Sequence, residues 1–336
     1  MDHVNIGNFT IEKTAVLAPM AGMADTAYRL MAKKFGAAMV YSEMVSCKGL
    51  CYTDRKSAEL LKITDEERPM AIQLFGDEPE FFAKAAKIAE NNQPQMIDIN
   101  CGCPVPKVTG TGAGSALLKK PELIGKLIKA VKSVTDIPVS VKIRSGWDED
   151  NINAAEVAKI AEESGASAIT VHGRTKTQMY SGKSDWNIIS RVKAAVSIPV
   201  IGSGDVTDAA SCKKMYKETG CDLVMIGRGS YGKPWIFEEI KHYFETGQIL
   251  PEKSLEQRLD ILAEHIRLIV SLKGEKVGMR EARKHAVWYL KGIQNAAAYR
   301  NRCGTLCTLE DLYRLLDDVR KEQYNAITLS GDVHSV

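Results

Sequence analysis

The sequence predicts an α/β fold, a (β/α)8 TIM barrel followed by a small C-terminal helical bundle. Short runs rich in Val, Ile, Leu and Met alternate with helical patterns over residues 1–246. Such runs, with little polar alternation, are typical of parallel strands buried on both faces. The strand signals stop at residues 247–251, and only helical periodicity follows. Eight strand–helix units over about 240 residues favour the barrel, and the alternative left open by the pattern is a doubly wound sheet.

The predicted strands are short and apolar, and helical stretches separate them. They are predicted at Ala15–Pro19, Met39–Glu43, Met70–Phe75, Met96–Asn100, Val139–Arg144, Ala168–His172, Val200–Gly202 and Leu223–Ile226. In a barrel the active site lies where the strands end, on the loops that follow. We therefore looked for functional side chains at the carboxyl ends of these runs.

Three amphipathic helices are predicted after the break. The first presents one apolar face, made of Leu255, Leu259, Leu262, Ile266 and Ile269. The second is predicted over Val277–Ala298, with an apolar stripe of Ala282, Ala286, Leu290, Ile293 and Ala297. The third begins near Thr308, a good N-cap type, and carries Leu309, Leu312, Leu316 and Val319. The chain is thus predicted to contain a catalytic barrel, residues 1–246, and a helical domain, residues 252–325.

Composition narrows the class of protein. Hydrophobic residues make up 45% and charged residues 26% of the chain, as in soluble globular proteins. No apolar run reaches the roughly 18–20 residues of a membrane span, and the N-terminus lacks the signal-peptide pattern. The 8 cysteines of this 336-residue chain do not resemble a disulfide scaffold, which favours the reducing cytoplasm. The pairs Cys47/Cys51 and Cys303/Cys307 are spaced more widely than the CxxC pairs of most zinc sites, so no metal is predicted.

Charge is concentrated in one part of the chain. The formal net charge is only +3. Residues 267–302 nevertheless contain nine Lys or Arg and two acids, a local charge of +7. A basic segment on a mildly acidic body indicates a polyanionic partner.

Two predicted strands end in glycine-rich turns. Strand 7 ends in Gly202-Ser203-Gly204-Asp205 and strand 8 in Gly227-Arg228-Gly229. In barrels these positions commonly hold a phosphate group through backbone N–H groups, and Arg228 can add a charge-assisted hydrogen bond. Residues 227–232 also match G-x-G-x-x-G, but that dinucleotide fingerprint belongs to the first βαβ unit rather than the eighth. We interpret the turns as a monophosphate site.

Two side chains at strand ends indicate a flavin. Lys142 ends strand 5, where a fixed cation would stabilise negative charge on a reduced flavin ring. The alternative is that the Lys142 side chain is only solvated at the barrel mouth and binds no ligand. Gln73 ends strand 3 and can both donate to and accept from a flavin edge. Together with the glycine turns, these residues favour FMN.

A cysteine in the loop after strand 4 is the candidate proton donor. Cys103 lies between Gly102 and Pro104, in a loop that glycines make mobile. A free thiol is mostly protonated at neutral pH and can act as a general acid. Cys101 is the alternative thiol, and a structural role is the alternative function. The flanking Gly102 and Pro104 favour Cys103.

Three further donors at adjacent strand ends form a cationic mouth. Arg144, His172 and Arg174 follow strands 5 and 6. They suit a flavin phosphate, an RNA phosphate or the carbonyls of uracil. A lone histidine is more often structural, but three donors that face Lys142 indicate ligand binding.

The motifs in order resemble those of the tRNA-dihydrouridine synthase family, specifically its bacterial B-type branch. The matching segments are LAPMAGMADTAYR, IQLFG, DINCGCPVPKV, VKIRSGW, ITVHGRT and IGRGSYGKPWIF. They span the whole predicted barrel, and the basic helical segment matches the family's C-terminal RNA-binding domain. The resemblance implies FMN as cofactor, NADPH as electron donor and tRNA as substrate, with reduction of the uridine C5–C6 bond.

The resemblance also implies roles for individual residues. It places the flavin against Pro19, Met20, Ala21, Gln73, Lys142, His172, Ser203, Gly204, Asp205, Gly227 and Arg228. Cys103 would protonate C5 while hydride reaches C6. Asn100, Arg144 and Arg174 would contact the RNA around a flipped uracil, since a base must leave its stack to reach a barrel mouth. Ser203 departs from the family pattern, in which asparagine is frequent at this position.

The predicted second helix of the C-terminal domain offers an RNA-binding face. On an ideal helix Arg280, Lys284 and Lys291 fall within about 40° of one another, away from the apolar stripe. Phosphate contacts from such a face would position the RNA. The alternative is a basic face that is only solvated.

The residues alone are also compatible with other functions. A small-molecule reductase of the dihydroorotate dehydrogenase type would share the barrel but leaves the basic domain unexplained. An aldolase or isomerase of phosphorylated sugars would not need Gln73 or Cys103, and a non-catalytic RNA-binding protein would need no flavin. DNA is not an expected partner. The uridine position, the choice between tRNA and ribosomal RNA, the choice between NADPH and NADH, and the oligomeric state are not predicted.

Overall fold

The computed structural model describes residues 2–331, with side chains described through Gln323. Its strands are β1 (His3–Ile6), β2 (Phe9–Glu12), β3 (Ala15–Leu17), β4 (Val40–Ser46), β5 (Met70–Phe75), β6 (Met96–Cys101), β7 (Val139–Arg144), β8 (Ala168–His172), β9 (Val200–Ser203) and β10 (Leu223–Ile226). Its helices are α1 (Thr26–Lys34), α2 (Cys47–Cys51), α3 (Arg55–Glu59), α4 (Pro79–Glu90), α5 (Pro106–Thr109), α6 (Pro121–Lys132), α7 (Ala154–Glu163), α8 (Trp186–Ala195), α9 (Ala209–Thr219), α10 (Ile236–Thr246), α11 (Leu255–Lys273), α12 (Glu275–Tyr289), α13 (Ala296–Cys303) and α14 (Leu309–Gly331). Among the described helices, none combines the length and the apolar composition of a transmembrane span.

Strands β3 to β10 form one parallel sheet in the order β3-β10-β9-β8-β7-β6-β5-β4. Two backbone hydrogen bonds of 2.9 Å complete the ring, from Leu17 N–H to Met39 O and from Ala38 N–H to Ala15 O. The predicted TIM barrel is therefore confirmed, and the doubly wound sheet is excluded. Each of the predicted strands is present, with ends that differ by at most three residues.

An N-terminal hairpin that the sequence did not reveal covers one end of the barrel. Strands β1 and β2 pair antiparallel around Gly7, whose φ of +58° favours glycine. Their apolar side chains join the barrel interior, with Ile6 fully buried. A Cβ on Gly7 would lie 2.6 Å from Pro138 Cγ, just before β7. The hairpin thus closes the amino-terminal end and leaves the carboxyl end for the site.

The barrel interior changes from apolar to polar along the strands. Nearer the hairpin it is filled by buried Ala71, Met96, Ala168, Ile201, Leu223 and Met225. Two residues further along several strands, on the same face, come polar side chains, including Gln73, Asp98, Thr170 and Ser203. Burying these groups is costly unless they have partners or a ligand. The polar layer therefore marks the functional end.

A buried ion pair fixes α1 to the segment before β5. The Arg29 Nε atom lies 2.6 Å from Glu67 Oε1, and these side chains are 3% and 0% exposed. Arg29 also donates to Ala24 O and Thr26 Oγ1, and Glu67 accepts from the Thr64 N–H. Both charges therefore have several hydrogen-bond partners, which compensates for their removal from water.

The chain divides into two compact units. The barrel unit contains the residues up to Gly229 together with Trp235–Ile249, and the helical unit contains Ser230–Pro234 with the residues from Leu250 onward. The predicted barrel range, 1–246, contains residues 230–234, which belong to the helical unit in the structure. Within the helical unit, α11 and α14 bury the predicted faces, including Leu259, Ile266, Leu312 and Val319.

The predicted helix over Val277–Ala298 is wrong. Helix α12 ends at Tyr289, and α13 begins at Ala296. Gly292 at φ +83° and Asn295 at φ +55° take left-handed conformations, which interrupt the helix. Lys291 therefore lies in a turn and not on the same helical face as Arg280 and Lys284. Ala297, expected in the apolar stripe, is exposed.

Candidate active site

The strand register brings most of the predicted mouth residues together. Gln73 pairs with Asp98, and Asn100 pairs with Lys142. His172 is next to Arg144 on one side and to Ser203 on the other. One polar layer therefore runs across five neighbouring strands, β5 to β9.

The Cys103 loop is held by the side chain of Asn100. Its Oδ1 atom accepts hydrogen bonds from the backbone N–H of Gly102 at 3.2 Å and of Cys103 at 2.9 Å. The carbonyl of Cys103 accepts from the Ser115 N–H at 3.0 Å. Because the loop is fixed on both sides of this residue, the thiol has a defined position beside the mouth.

The Cys103 thiol is suited to donate a proton. It is partly exposed, whereas Cys101 is fully buried. Burial raises the pKa of Cys103, and the nearby cations Arg144 and Lys142 only partly oppose the rise. The group is therefore protonated at neutral pH, as a general acid must be.

Lys142 is a partly buried cation without a hydrogen-bond partner among the described residues. Burial, and then the neighbouring charge of Arg144, lower the pKa of Lys142 to about 8, while Asp98 opposes that change. The ammonium group is still charged at pH 7. A cation whose N–H groups are not used within the described part of the protein fits the electron-rich edge of a flavin ring.

A carboxylate that the sequence reading missed lies at the centre of the polar layer. Asp98 is fully buried and accepts from Gln73 Nε2 at 2.6 Å and from the Ser140 hydroxyl. The Gln73 Oε1 atom in turn accepts from Asn100 Nδ2 at 2.8 Å. An acid in the interior of a strand buried on both faces is itself a sequence signal, because such positions are almost always apolar.

His172 is neutral in this environment. Burial and the cations around it lower its pKa well below the usual value. Its Nδ1 atom accepts from the Arg174 N–H at 3.2 Å, so Nε2 carries the ring proton. His172 therefore offers a neutral N–H donor at the mouth, consistent with a ligand carbonyl or ring nitrogen.

Three residues that are predicted to contact RNA have several partners within the protein. Arg144 is 4% exposed and donates to the carbonyls of Gly102, Thr175 and Met179 at 2.7–2.9 Å. Arg174 is 2% exposed and donates to Ser181 O, Gly182 O and Asp205. Asn100 is likewise committed to protein groups. These side chains hold loops in place, and their contacts with RNA stay a prediction.

The phosphate-side residues also lie together at this end of the barrel. The Asp205 carboxylate receives Arg174 at 2.8 Å and the Ser184 N–H at 2.7 Å, so its side chain is anionic and occupied. Its backbone is left-handed, at φ +59°, next to Gly204 at +122°. An anion here would meet backbone groups and the half-exposed guanidinium of Arg228, not the Asp205 carboxylate.

The loop after β3 reaches the same end. Pro19 and Met20 are partly buried and Ala21 is exposed. A Cβ on Gly227 would lie 3.6 Å from Met20 Sδ, so the β3 and β10 loops are neighbours. Tyr180, which the sequence reading missed, stands nearby with the Arg228 guanidinium 4.9 Å from its ring centre.

The predicted RNA-contacting residues of the helical unit differ in exposure. Arg280 and Lys291 are exposed, and Lys284 is partly buried. Arg280 and Lys284 are four residues apart on α12, whereas Lys291 follows that helix. The basic face is therefore smaller than predicted.

Comparison with known proteins decides the family. The model of the dihydrouridine synthase (Dus) family matches residues 16–324. The chain belongs to the dihydrouridine synthase family. The predicted family resemblance is confirmed, and with it an oxidoreductase that acts on the C5–C6 bond of uridine. The non-redox and RNA-binding-only alternatives are excluded.

Curated relatives cover nearly the whole chain. A probable tRNA-dihydrouridine synthase of Rickettsia bellii is 44% identical over 298 residues, which are 88% of this chain and 91% of that protein. The tRNA-dihydrouridine synthase B of Pseudomonas aeruginosa is 42% identical over 300 residues, 89% of this chain and 90% of that one. Members named as the B type are thus among the relatives.

Solved structures share the fold. Morphinone reductase in complex with tetrahydroNAD has a TM-score of 0.52 and 13% identity, covering 76% of this chain and 93% of that one. The old yellow enzyme homologue from Zymomonas mobilis has a TM-score of 0.53 and 12% identity, covering 76% and 95%. At this identity the likeness supports the barrel and nothing further.

Proposed function

We propose that this family member is a tRNA-dihydrouridine synthase that uses FMN and NADPH to reduce uridines of tRNA. The observation that carries the proposal is the presence, at one barrel mouth, of a protonated, positioned thiol, Cys103, and of the cation Lys142, which has no hydrogen-bond partner in the described part of the chain. A proton donor next to a cation that stabilises negative charge is what addition of two hydrogens to a double bond requires.

The residues present fit FMN. Lys142, Gln73 and His172 offer donors to a ring edge, while Arg228 and the backbone of Gly204, Asp205 and Gly227 suit its phosphate. Ser203 is 4% exposed and lies between these two groups. Pro19, Met20 and Ala21 would pack against the ring system. When bound, reduced FMN supplies the hydride that is added to C6 of uracil.

The protein groups then complete the reaction. Cys103 donates its proton to C5, and its raised pKa keeps that proton available at neutral pH. Asn100 and Arg144 keep the thiol in place, through the Cys103 N–H and the Gly102 carbonyl. Lys142 stabilises negative charge at the mouth. The target base must be flipped out of its stack to reach this depth.

The helical unit is proposed to bind the RNA backbone through Arg280 and Lys284, with Lys291 as a separate contact. The local charge of residues 267–302 supports a polyanionic partner. The names of the curated relatives support tRNA over ribosomal RNA. A protein that modifies tRNA is expected to act in the cytoplasm.

The test is the dihydrouridine content of RNA from a strain that lacks this gene. We expect dihydrouridine to be absent from defined tRNA positions and to return when the gene is restored. The purified protein should be yellow, with the absorption bands of flavin. Dihydrouridine lost from ribosomal RNA alone would replace tRNA as the substrate, and an unchanged RNA profile would contradict the proposal.

A further inference from the structure

A continuous chain of hydrogen bonds leads from the barrel interior to the Cys103 loop. Asp98 accepts from Gln73 Nε2 at 2.6 Å, and Gln73 Oε1 accepts from Asn100 Nδ2 at 2.8 Å. The Asn100 Oδ1 atom then accepts from the Cys103 N–H at 2.9 Å. Each amide in the chain has its two ends fixed by different partners, so neither can rotate without breaking a hydrogen bond.

Asp98, the first residue of this chain of hydrogen bonds, is an anion at neutral pH. Asp98 accepts from two donors, Gln73 Nε2 and the Ser140 hydroxyl, an arrangement that stabilises a carboxylate. Burial raises the pKa of Asp98 to about 6, against the opposing hydrogen bonds and the charge of Lys142. At pH 7 and above the group is therefore ionised.

Asp98 is also the counter-charge of Lys142. The two residues are on the interior face of the neighbouring strands β6 and β7, where Asp98 pairs with Ser140 and Asn100 pairs with Lys142. The other titratable groups coupled to Asp98, within the described part of the chain, are Tyr41 on β4 and Cys101 on its own strand. Neither is a cation, so Lys142 is the positive charge that balances this carboxylate.

We propose that Asp98 is a positioning residue with two effects. As an anion it keeps Lys142 charged, and through Gln73 and Asn100 it holds the loop that presents Cys103. This proposal rests on the proposed function, in which Lys142 is the cation and Cys103 the proton donor of one reaction. Asp98 is the single buried group that acts on both. Its physical content concerns only residues of this chain.

The first test measures the charge of Lys142 in the full-length, flavin-containing protein. Competitive acetylation with acetic anhydride across pH, read by peptide mass spectrometry, gives the midpoint at which Lys142 becomes reactive. In Asp98→Asn we expect that midpoint to fall by on the order of one pH unit, because the stabilising anion is gone. Ser140→Ala is the matched control: it removes a hydrogen bond from Asp98 but leaves the carboxylate, so the Lys142 midpoint should stay at the parent value.

The second test measures the loop. Hydrogen–deuterium exchange of the peptide that contains Gly102 and Cys103 reports the two N–H groups bound by Asn100. Gln73→Leu cuts the chain without changing any charge, and we expect several-fold faster exchange than in the parent at equal flavin content. Ser140→Ala should leave this exchange unchanged. Parent-like exchange in folded Gln73→Leu would contradict the positioning of the loop.

A reciprocal measurement covers the case in which Asp98→Asn does not fold. With 13C-labelled aspartate carboxyls, one NMR signal of the parent should titrate near pH 6, and Ser140→Ala should perturb that signal and so assign it. In Lys142→Met its midpoint should rise by about as much as that of Lys142 falls, since coupling is reciprocal. An unmoved midpoint, in either residue, would overturn the proposal. None of these measurements needs RNA or turnover. A failure of the Asp98 proposal can therefore be distinguished from a failure of the proposed function.

Discussion

The Asn100 side chain accepts a hydrogen bond from the backbone N–H of Cys103, 2.9 Å away, and donates one to Gln73, 2.8 Å away. This one carboxamide therefore joins the candidate proton donor to the residue expected at the flavin ring. The relationship explains why the thiol and the cation must be considered together, and the following predictions separate their contributions.

Removing the thiol should block product formation and leave cofactor reduction intact. Cys103→Ala should keep the flavin and its reduction by NADPH, because only the protonation of C5 is lost. Dihydrouridine formation should fall by two orders of magnitude or more, in the range of lost general-acid catalysis. The control is Cys101→Ala, which alters a fully buried side chain and should affect stability more than turnover. If Cys101→Ala is inactive and Cys103→Ala is active, the proton donor is Cys101 and the assignment to Cys103 is wrong.

Lys142 should give the flavin reduction step a pH dependence. Its pKa is lowered to about 8, so the cation is present below that pH and is lost as pH rises through it. We expect the rate of flavin reduction by NADPH to fall with a midpoint near pH 8 in stopped-flow experiments. Lys142→Met should be slow at every pH and lack that midpoint. A parent profile that is flat from pH 6 to 9 would remove this role from Lys142.

The buried ion pair should be important for stability. Glu67→Ala leaves the Arg29 guanidinium buried without its carboxylate, a change that typically costs about 3–5 kcal/mol. The urea midpoint of the barrel unit should fall accordingly. Glu80→Ala, which breaks the exposed pair with Lys84, is the control and should hardly move the midpoint. Equal effects of both substitutions would show that burial of the Arg29–Glu67 pair is not what matters.

The basic face of α12 should control the affinity for RNA. Arg280→Glu with Lys284→Glu should weaken RNA binding and spare flavin reduction. If both residues contact phosphates, the slope of log affinity against log salt should shrink by about 1.5, since each contact contributes roughly 0.7–0.9. Lys126→Glu with Lys129→Glu changes the same charge on the exposed side of α6 and serves as the control. Identical slopes for the two double variants would show that α12 is only solvated.

Much of the barrel could be predicted from the sequence because parallel strands that are buried on both faces are continuous runs of apolar residues. The strand ends at Gln73, Asn100, Lys142 and His172 were found for the same reason. The partners of the side chains could not be predicted. The sequence shows that an arginine follows a strand, but it does not show which groups the guanidinium contacts. Arg144, for example, donates to three backbone carbonyls.

Local backbone conformation accounts for the remaining errors. Periodicity continued past Tyr289, but left-handed Gly292 and Asn295 end that helix and move Lys291 off its face. The β1–β2 hairpin was missed because its strands are four residues each, too short for a clear alternating pattern. Asp98 was overlooked although its position, between apolar residues of a buried strand, was visible.

The central claim is tested most directly by measuring dihydrouridine formation with purified protein, NADPH and tRNA that was transcribed without modifications. Mass spectrometry of the digested tRNA should show a gain of two hydrogens at specific uridines with the parent protein. Cys103→Ala, carrying the same amount of flavin, should reduce the flavin and leave the uridines unchanged. Unmodified tRNA after incubation with flavin-loaded parent protein, or full conversion by Cys103→Ala, would contradict the account.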